Sequence, residues 1–198
     1  MKFICFKALA PALIAGSALL SIANNVLAQE VSKVKFATTA GDFVVEVYPD
    51  KAPKTVANFL QYVTDKHYDG TMFHRVIDNF MVQGGGFDAK YVQKSVRAPV
   101  AHEGREALAK GLKNTVGTLA MARTNDPQSA TAQFFINVAD NAFLDPNIQS
   151  YGYTVFGKVV SGMDVIQKMK ASPTGAGGPF PTDVPKTPIL VNSATLVK

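Results

Sequence analysis

The sequence predicts a mostly β protein: an antiparallel barrel, closed on itself, with helices plugging its ends. Three observations carry this reading. Short β-rich runs recur along most of the chain, only two stretches have helical periodicity, one early and one late, and the length left after an N-terminal leader suits one domain.

The leader comes first in the chain. Lys2 and Lys7 give a positive start, Ala8 to Ala23 is an uncharged, mostly apolar run, and Val26-Leu27-Ala28 supplies small or slender side chains where a signal peptidase must fit them. This pattern predicts a cleaved Sec-type signal peptide over residues 1–28, with the mature protein beginning at Gln29. An uncleaved membrane anchor is the alternative, but the apolar run of 16 residues contains Pro11 and is short of the roughly 20 that a spanning helix needs. Cys5, the sole cysteine, precedes the apolar run, where a lipid-anchored cysteine would follow it. The mature chain then has no thiol and no disulfide, and its 170 residues must build stability from a core alone.

The elements follow in order. Val34 to Thr39 and Phe43 to Tyr48 read as two strands of a hairpin turning at Ala40-Gly41-Asp42. Pro53 opens a helix in its first turn, where a missing N–H does no harm, and Ala52, Val56, Phe59, Leu60 and Val63 make one apolar face that ends at Asp69-Gly70. Short strands are predicted at Met72–Val76, Phe80–Gln83, Gly117–Met121, Phe134–Val138 and Thr154–Val160. A second helix is predicted at Met163–Lys170, and a closing strand at Ile189–Val197. Five of the eleven prolines lie between Pro173 and Pro188, beside Gly175, Gly177 and Gly178, which predicts an ordered but irregular surface loop, a flexible linker being the rival reading.

Composition removes several function classes. The net charge of +5 falls to +3 without the leader, and its charges are scattered, with no basic stripe interleaved with aromatics for nucleic acid. No other segment is apolar enough to span a membrane. His67, His74 and His102 are scattered and make no metal-ligand spacing, so no metal and no cofactor is expected. No Gly-x-Ser-x-Gly turn occurs. Gly84-Gly85-Gly86 lacks the Lys-Ser/Thr of a phosphate loop and reads as a turn or bulge.

What remains is a cluster of aromatics, one methionine, one arginine and two glutamines. Along Phe73 to Gly85 the side chains alternate, so that Phe73 and Arg75 share one face while His74 and Val76 share the other; Gln133 likewise pairs with Phe135. Each feature alone is weak, since an aromatic in a strand is usually core and an arginine is usually solvated.

Together they resemble the cyclophilin family. Its signature, Phe-His-Arg-Ile/Val-Ile-x-x-Phe-Met-x-Gln-Gly-Gly followed by a Gln-Phe-Phe-Ile strand, is matched residue for residue from Phe73 to Gly85 and from Gln133 to Ile136. Gly117 to Ala122 and Val155 to Val159 match further family segments, and the resemblance runs from about Val34 to Val197. It implies an eight-stranded closed barrel with two helices over residues 29–198, and a peptidyl-prolyl cis–trans isomerase acting on proline-containing, unfolded or flexible segments. With the leader, it most resembles periplasmic bacterial members that assist folding of exported proteins. It also implies a shallow groove on the outside of the barrel. The catalytic arginine falls on Arg75, the walls of the proline pocket on Phe80, Met81, Phe135 and Leu144, and polar contacts on Gln83 and Gln133. Gln83 is expected to fix the guanidinium. The backbone contact to substrate falls at Arg123, flanked by Ala122 and Thr124, where the usual asparagine is absent.

The sequence departs from the family in three places. Phe143 stands where many eukaryotic members have tryptophan, which implies weakened affinity for the family's cyclic-peptide inhibitor. Tyr153 stands at the site histidine, and one extra residue lies between Met121 and Gln133. A module that only holds proline segments is the competing function, and the intact Arg75 favours turnover. No leftover amphipathic stripe calls for a partner subunit, so a monomer is expected.

Overall fold

The computed structural model describes residues 31–197; the expected signal peptide, its cleavage before Gln29, and Cys5 lie outside the described residues. The described residues form ten strands and three α-helices. Strands β1 (Ser32–Thr38) and β2 (Gly41–Val47) form a hairpin whose register closes on Thr38 and Gly41, so the turn lies at Thr39-Ala40. Helix α1 (Pro53–Thr64) starts on Pro53 and buries Val56, Phe59, Tyr62 and Val63. Then come β3 (Thr71–Ile77), β4 (Met81–Asp88), α2 (Gly104–Ala109), β5 (Thr118–Met121) and β6 (Phe134–Asn137). The chain ends with β7 (Val155–Ser161), α3 (Met163–Lys170), β8 (Thr174–Gly177), β9 (Phe180–Pro185) and β10 (Val191–Val197).

Eight strands form one antiparallel sheet in the order β10-β1-β2-β7-β5-β6-β4-β3. The expectation of a closed barrel is corrected here, because the sheet is a strongly curled half-barrel whose edge strands β10 and β3 share no continuous ladder. An isolated bridge, Met72 to Leu190, joins β3 to the residue before β10, with Gly70 N donating to Val191 O at 2.8 Å and Phe73 N to Ile189 O at 2.9 Å. The chain entering β10 carries Pro185 and Pro188, which lack the N–H that a longer ladder needs, and Leu190 N donates to Thr39 Oγ1 instead.

The concave side is filled by aromatic rings. Phe36 stacks on Phe43 at 5.0 Å, Phe59 meets Phe156 at 5.1 Å, and Phe134 sets its edge against Phe59, Tyr68 and Phe73. All of these side chains are buried, each contributing about 1.5–3 kcal/mol as water is excluded. The Tyr68 hydroxyl donates to Ala132 O, and burial raises its pKa well above the usual phenol value. An interior packed in this way has no room for substrate, so a binding site must lie on the outer face.

Two further expectations are corrected. The short helix α2 has only six residues, too few for periodicity to announce. The segment expected as an irregular loop between Pro173 and Pro188 contains the β8–β9 hairpin, paired Thr174 to Pro185, Gly175 to Val184 and Gly177 to Phe180. Its strands read Thr-Gly-Ala-Gly and Phe-Pro-Thr-Asp-Val-Pro, with no alternation to signal β structure. Tertiary contacts order it. Phe180 packs on His74 (5.3 Å), Phe87 (5.1 Å) and Tyr91 (6.3 Å), and Gly178 lies so close under Tyr91 that a side chain there would overlap the ring.

Candidate active site

Strands β3, β4 and β6 pair so that Arg75 sits opposite Gln83, and Gln83 opposite Phe135. This cross-strand row aligns the three functional candidates side by side, while the row Val76, Val82 and Ile136 turns into the core. The expectation that Phe73 and Arg75 share a face is corrected. The β3–β4 register slips between them, a bulge that lets Phe73 enter the core while Arg75 emerges on the outside. His74, beside them, is buried between Phe87 and Phe180.

A hollow of about 180 Å³ opens on this outer face, lined by Arg75, Phe80, Met81, Gln83, Ala122, Arg123, Phe135, Leu144 and Tyr153. It is smaller than the roughly 300–1,000 Å³ of sites for drug-sized ligands, a scale suited to one side chain of a longer chain. Met81, Phe135 and Leu144 are buried and make its apolar floor. Among the described residues, neither a carboxylate nor a histidine lines it. Thr124 and Gln133 line an adjoining hollow of about 290 Å³, which shares Gln83, Ala122 and Arg123 with the first. Phe143 lies at the rim, 68% exposed, its ring stacked on Phe80 at 5.7 Å.

Each wall has a local cause. Gly86 on β4 leaves the space that the Gln133 side chain fills; a Cβ there would lie 2.5 Å from Gln133 Cγ. Gln133 Oε1 then accepts from Gln83 Nε2 at 3.0 Å. This differs from the expected role of Gln83, because the ionic partner of Arg75 is Asp183 on β9, with Nε to Oδ2 at 3.8 Å. Arg123 folds back, its Nε and Nη2 donating to Gly152 O at 3.0 and 2.9 Å and its guanidinium lying over the Tyr153 ring at 4.7 Å. Tyr153 in turn meets Phe135 edge-on at 5.4 Å, so one stack fixes that side of the groove.

The wall that carries Phe143 and Leu144 is a single 3₁₀ turn held by an amide network that the sequence reading missed. Asn141 Nδ2 donates to Phe80 O (2.9 Å) and to Asn137 Oδ1 (2.7 Å). Asn137 donates to Thr118 Oγ1, and Asn114 donates through N and Nδ2 to Asp145 Oδ1. Asparagines near a strand end signal only a turn, and their convergence depends on strands far apart in sequence.

The chain's likeness to known proteins agrees with this geometry. The family model described as Cyclophilin type peptidyl-prolyl cis-trans isomerase/CLD matches residues 33–196. Peptidyl-prolyl cis-trans isomerase B of Escherichia coli (strain K12) is 51% identical over 166 residues, covering 82% of this chain and 98% of its own. Peptidyl-prolyl cis-trans isomerase A of Dickeya dadantii (strain 3937) is 48% identical over 165 residues, 83% of this chain and 84% of its own. A crystal structure of a Cryptosporidium parvum cyclophilin type peptidyl-prolyl cis-trans isomerase shares the fold, with a TM-score of 0.66 at 22% identity over 85% of this chain and 99% of that one. The same protein solved in the presence of the dipeptide Ala-Pro gives a TM-score of 0.64 at 23% identity over 84% and 99%. With the family motif lying on the strands that build the groove, and half of the 166 aligned positions identical to a bacterial relative that is matched over 98% of its length, the chain belongs to the cyclophilin-type peptidyl-prolyl cis–trans isomerases.

Proposed function

We propose that Arg75 is the catalytic residue of this isomerase, that the floor of Met81, Phe135 and Leu144 with Phe80 holds the proline ring, and that the enzyme assists folding of exported proteins in the periplasm. The observation that carries the site reading is the placement of the Arg75 guanidinium at the edge of a ring-sized hollow with an apolar floor, whose other guanidinium, that of Arg123, is turned back onto Gly152 O. An Ala-Pro dipeptide was present with the Cryptosporidium parvum relative, which supports a proline-containing peptide as the ligand class here.

The chemistry follows from amide physics. Rotation about X–Pro destroys resonance and crosses a barrier of about 18–20 kcal/mol, so uncatalysed exchange takes tens to hundreds of seconds. No bond breaks, so the groove needs no nucleophile or proton shuttle. In the twisted transition state the prolyl nitrogen loses conjugation and gains a lone pair, to which Arg75 donates. The planar ground state offers that lone pair only weakly, and interactions stronger in the transition state are those that accelerate. The twisted amide is also less polar, which suits the apolar floor. Lowering the barrier by about 7 kcal/mol gives roughly 10⁵-fold acceleration. Gln83, Gln133 and the backbone at Ala122, Arg123 and Thr124 hold the flanking peptide, and Tyr153 and Phe143 bound the groove.

The test is NMR exchange on a short Ala-Pro peptide. Saturable acceleration at the groove, with shifts confined to residues lining it, is the expected result; binding there without acceleration would make the groove a holding module. The cellular reading is supported by the leader pattern of residues 1–28, and it calls for a monomer that takes flexible proline-containing segments and engages neither nucleic acid nor, after cleavage, the membrane. Mass spectrometry of protein from the host's envelope is expected to give an N-terminus at Gln29. Intact Met1 in a membrane fraction would overturn that location.

A further inference from the structure

We infer that Asp183, on the β8–β9 hairpin, is a positioning residue that sets the orientation of the Arg75 guanidinium. The inference rests on the reading of Arg75 as the catalytic residue. It starts from a reassignment of partners. Gln83, opposite Arg75 on the neighbouring strand, donates its Nε2–H to Gln133 Oε1, and its side chain makes no hydrogen bond to Arg75 among the described residues. The carboxylate of Asp183 instead faces Arg75 Nε at 3.8 Å, an ion-pair distance.

The side from which the carboxylate approaches matters. Arg75 lines the groove and Asp183 does not, so Asp183 engages the guanidinium away from the hollow. Anchoring Nε leaves both Nη groups, with four N–H donors in a fixed plane, to point at the prolyl nitrogen. Working side chains need support to within a fraction of an ångström, and an arginine with several free torsions does not supply this alone.

The hairpin is built to hold Asp183 there. Its Phe180 packs on His74, the residue directly before Arg75, and on Phe87, while Val184 beside Asp183 is buried. Asp183 itself adopts φ of +66°, in the left-handed region that asparagine and aspartate tolerate better than other non-glycine residues. A non-glycine residue kept in that conformation inside a strand, with its carboxylate on the arginine, fits backbone strain retained at a working site. The pair is part-exposed, and such pairs contribute little to folding, which leaves orientation as its effect.

The test uses Asp183→Asn, which keeps the shape and the tolerance of φ but removes the charge, and Asp183→Gly, which suits the same φ without a side chain. NMR exchange on an uncharged Ala-Pro peptide reads the bound-state interconversion rate separately from Kd. Both variants are expected to slow interconversion roughly 10-fold, as losing an orienting partner does, while Kd stays within about twofold. At about 1 M salt, where the screening length is about 3 Å, wild type should slow toward the variants. In an Arg75→Ala background the Asn substitution should change the rate less than about twofold, the sign of full coupling. An unchanged rate in Asp183→Asn, with Arg75→Ala strongly impaired, overturns the role of Asp183 and leaves that of Arg75 standing. Equal fold-losses in both backgrounds overturn it too, since the hairpin would then act without the arginine. Near-full turnover in Arg75→Ala alone overturns both readings.

Discussion

Glu103 Oε2 accepts hydrogen bonds from both the backbone N–H and the hydroxyl of Thr55, each at 2.8 Å, across 48 residues of sequence. Its Oε1 accepts from Lys54 N at 3.1 Å. The N-cap of α1 is Ala52, which has no side-chain acceptor, so a distant carboxylate caps the helix and meets the positive end of its dipole. The same contact ties α1 to the chain entering α2.

Glu103→Ala is expected to lower unfolding free energy by about 2–3 kcal/mol, because it strips charge-assisted bonds from buried donors. Glu103→Gln should lose about half as much, keeping one carbonyl acceptor while presenting an NH₂ to the remaining donors. Urea unfolding measures both. Below the unfolding range, kcat/KM should match wild type, since Glu103 does not line the groove.

His74 makes stability depend on acid. Burial between Phe87 and Phe180 lowers its pKa from the usual 6.5 to about 4, and its Nδ1 has no hydrogen-bond partner among the described residues. The folded protein therefore prefers neutral His74, while the unfolded chain takes up a proton near pH 6.5. The stabilisation is complete above that pH and is lost as pH falls toward 4, reaching about 2–3 kcal/mol by pH 4.5. Burial lowers the pKa of His67 and His102 too, so they add in the same direction. In His74→Leu, urea unfolding at pH 7 and pH 4.5 should differ by about 2–3 kcal/mol less than in wild type. An identical pH slope would mean that His74 charges without cost.

The strand pattern was legible in the sequence because it depends on local order, and the groove's apolar residues were named through the family signature that Phe73 to Gly85 and Gln133 to Ile136 match. Phe80, Met81 and Gln83 lie within four residues, and the alternation of Gln133 and Phe135 carries straight into the groove. What was not legible depends on geometry between distant segments. The bulge at His74 reverses the side of Phe73 relative to Arg75, and nothing in the residue types there announces it. Asp183 hides in a run with three prolines within seven residues, from Pro179 to Pro185, and its relation to Arg75 exists only once Phe180 has docked on β3. Closure of the barrel failed for a related reason, since proline content limits pairing at the mouth of β10.

Phe143→Trp is expected to tighten the family's cyclic-peptide inhibitor while leaving peptide turnover nearly unchanged. Phe143 is 68% exposed at the rim and does not line the hollow, so the larger ring has space. An added indole N–H contributes about 0.5–1.5 kcal/mol if it meets a carbonyl of the inhibitor, about 2–13-fold in Kd. Isothermal titration reads this directly. Unchanged affinity would remove Phe143 from the inhibitor's contact surface.

Arg75→Ala is expected to reduce kcat/KM by roughly 10²–10³, since removing one preorganised donor to developing charge costs about 3–4 kcal/mol. Arg75→Lys should recover only a minor part of that. Lysine keeps the charge, but its single ammonium cannot face Asp183 at one nitrogen and present two others to the groove, as the planar fork does. A mechanism that needs only positive charge would let lysine restore most of the rate, so the ratio of the two variants separates charge from geometry. The side chain of Arg75 is 44% exposed and lies outside the aromatic core, so both variants should unfold within a few degrees of wild type. Loss of rate in a folded variant then reports on the groove alone. Retention of near-full turnover in Arg75→Ala would leave Met81, Phe135 and Leu144 to lower the barrier by desolvation, and catalysis would then track the apolar floor, falling when Phe135 is truncated rather than when the guanidinium is lost.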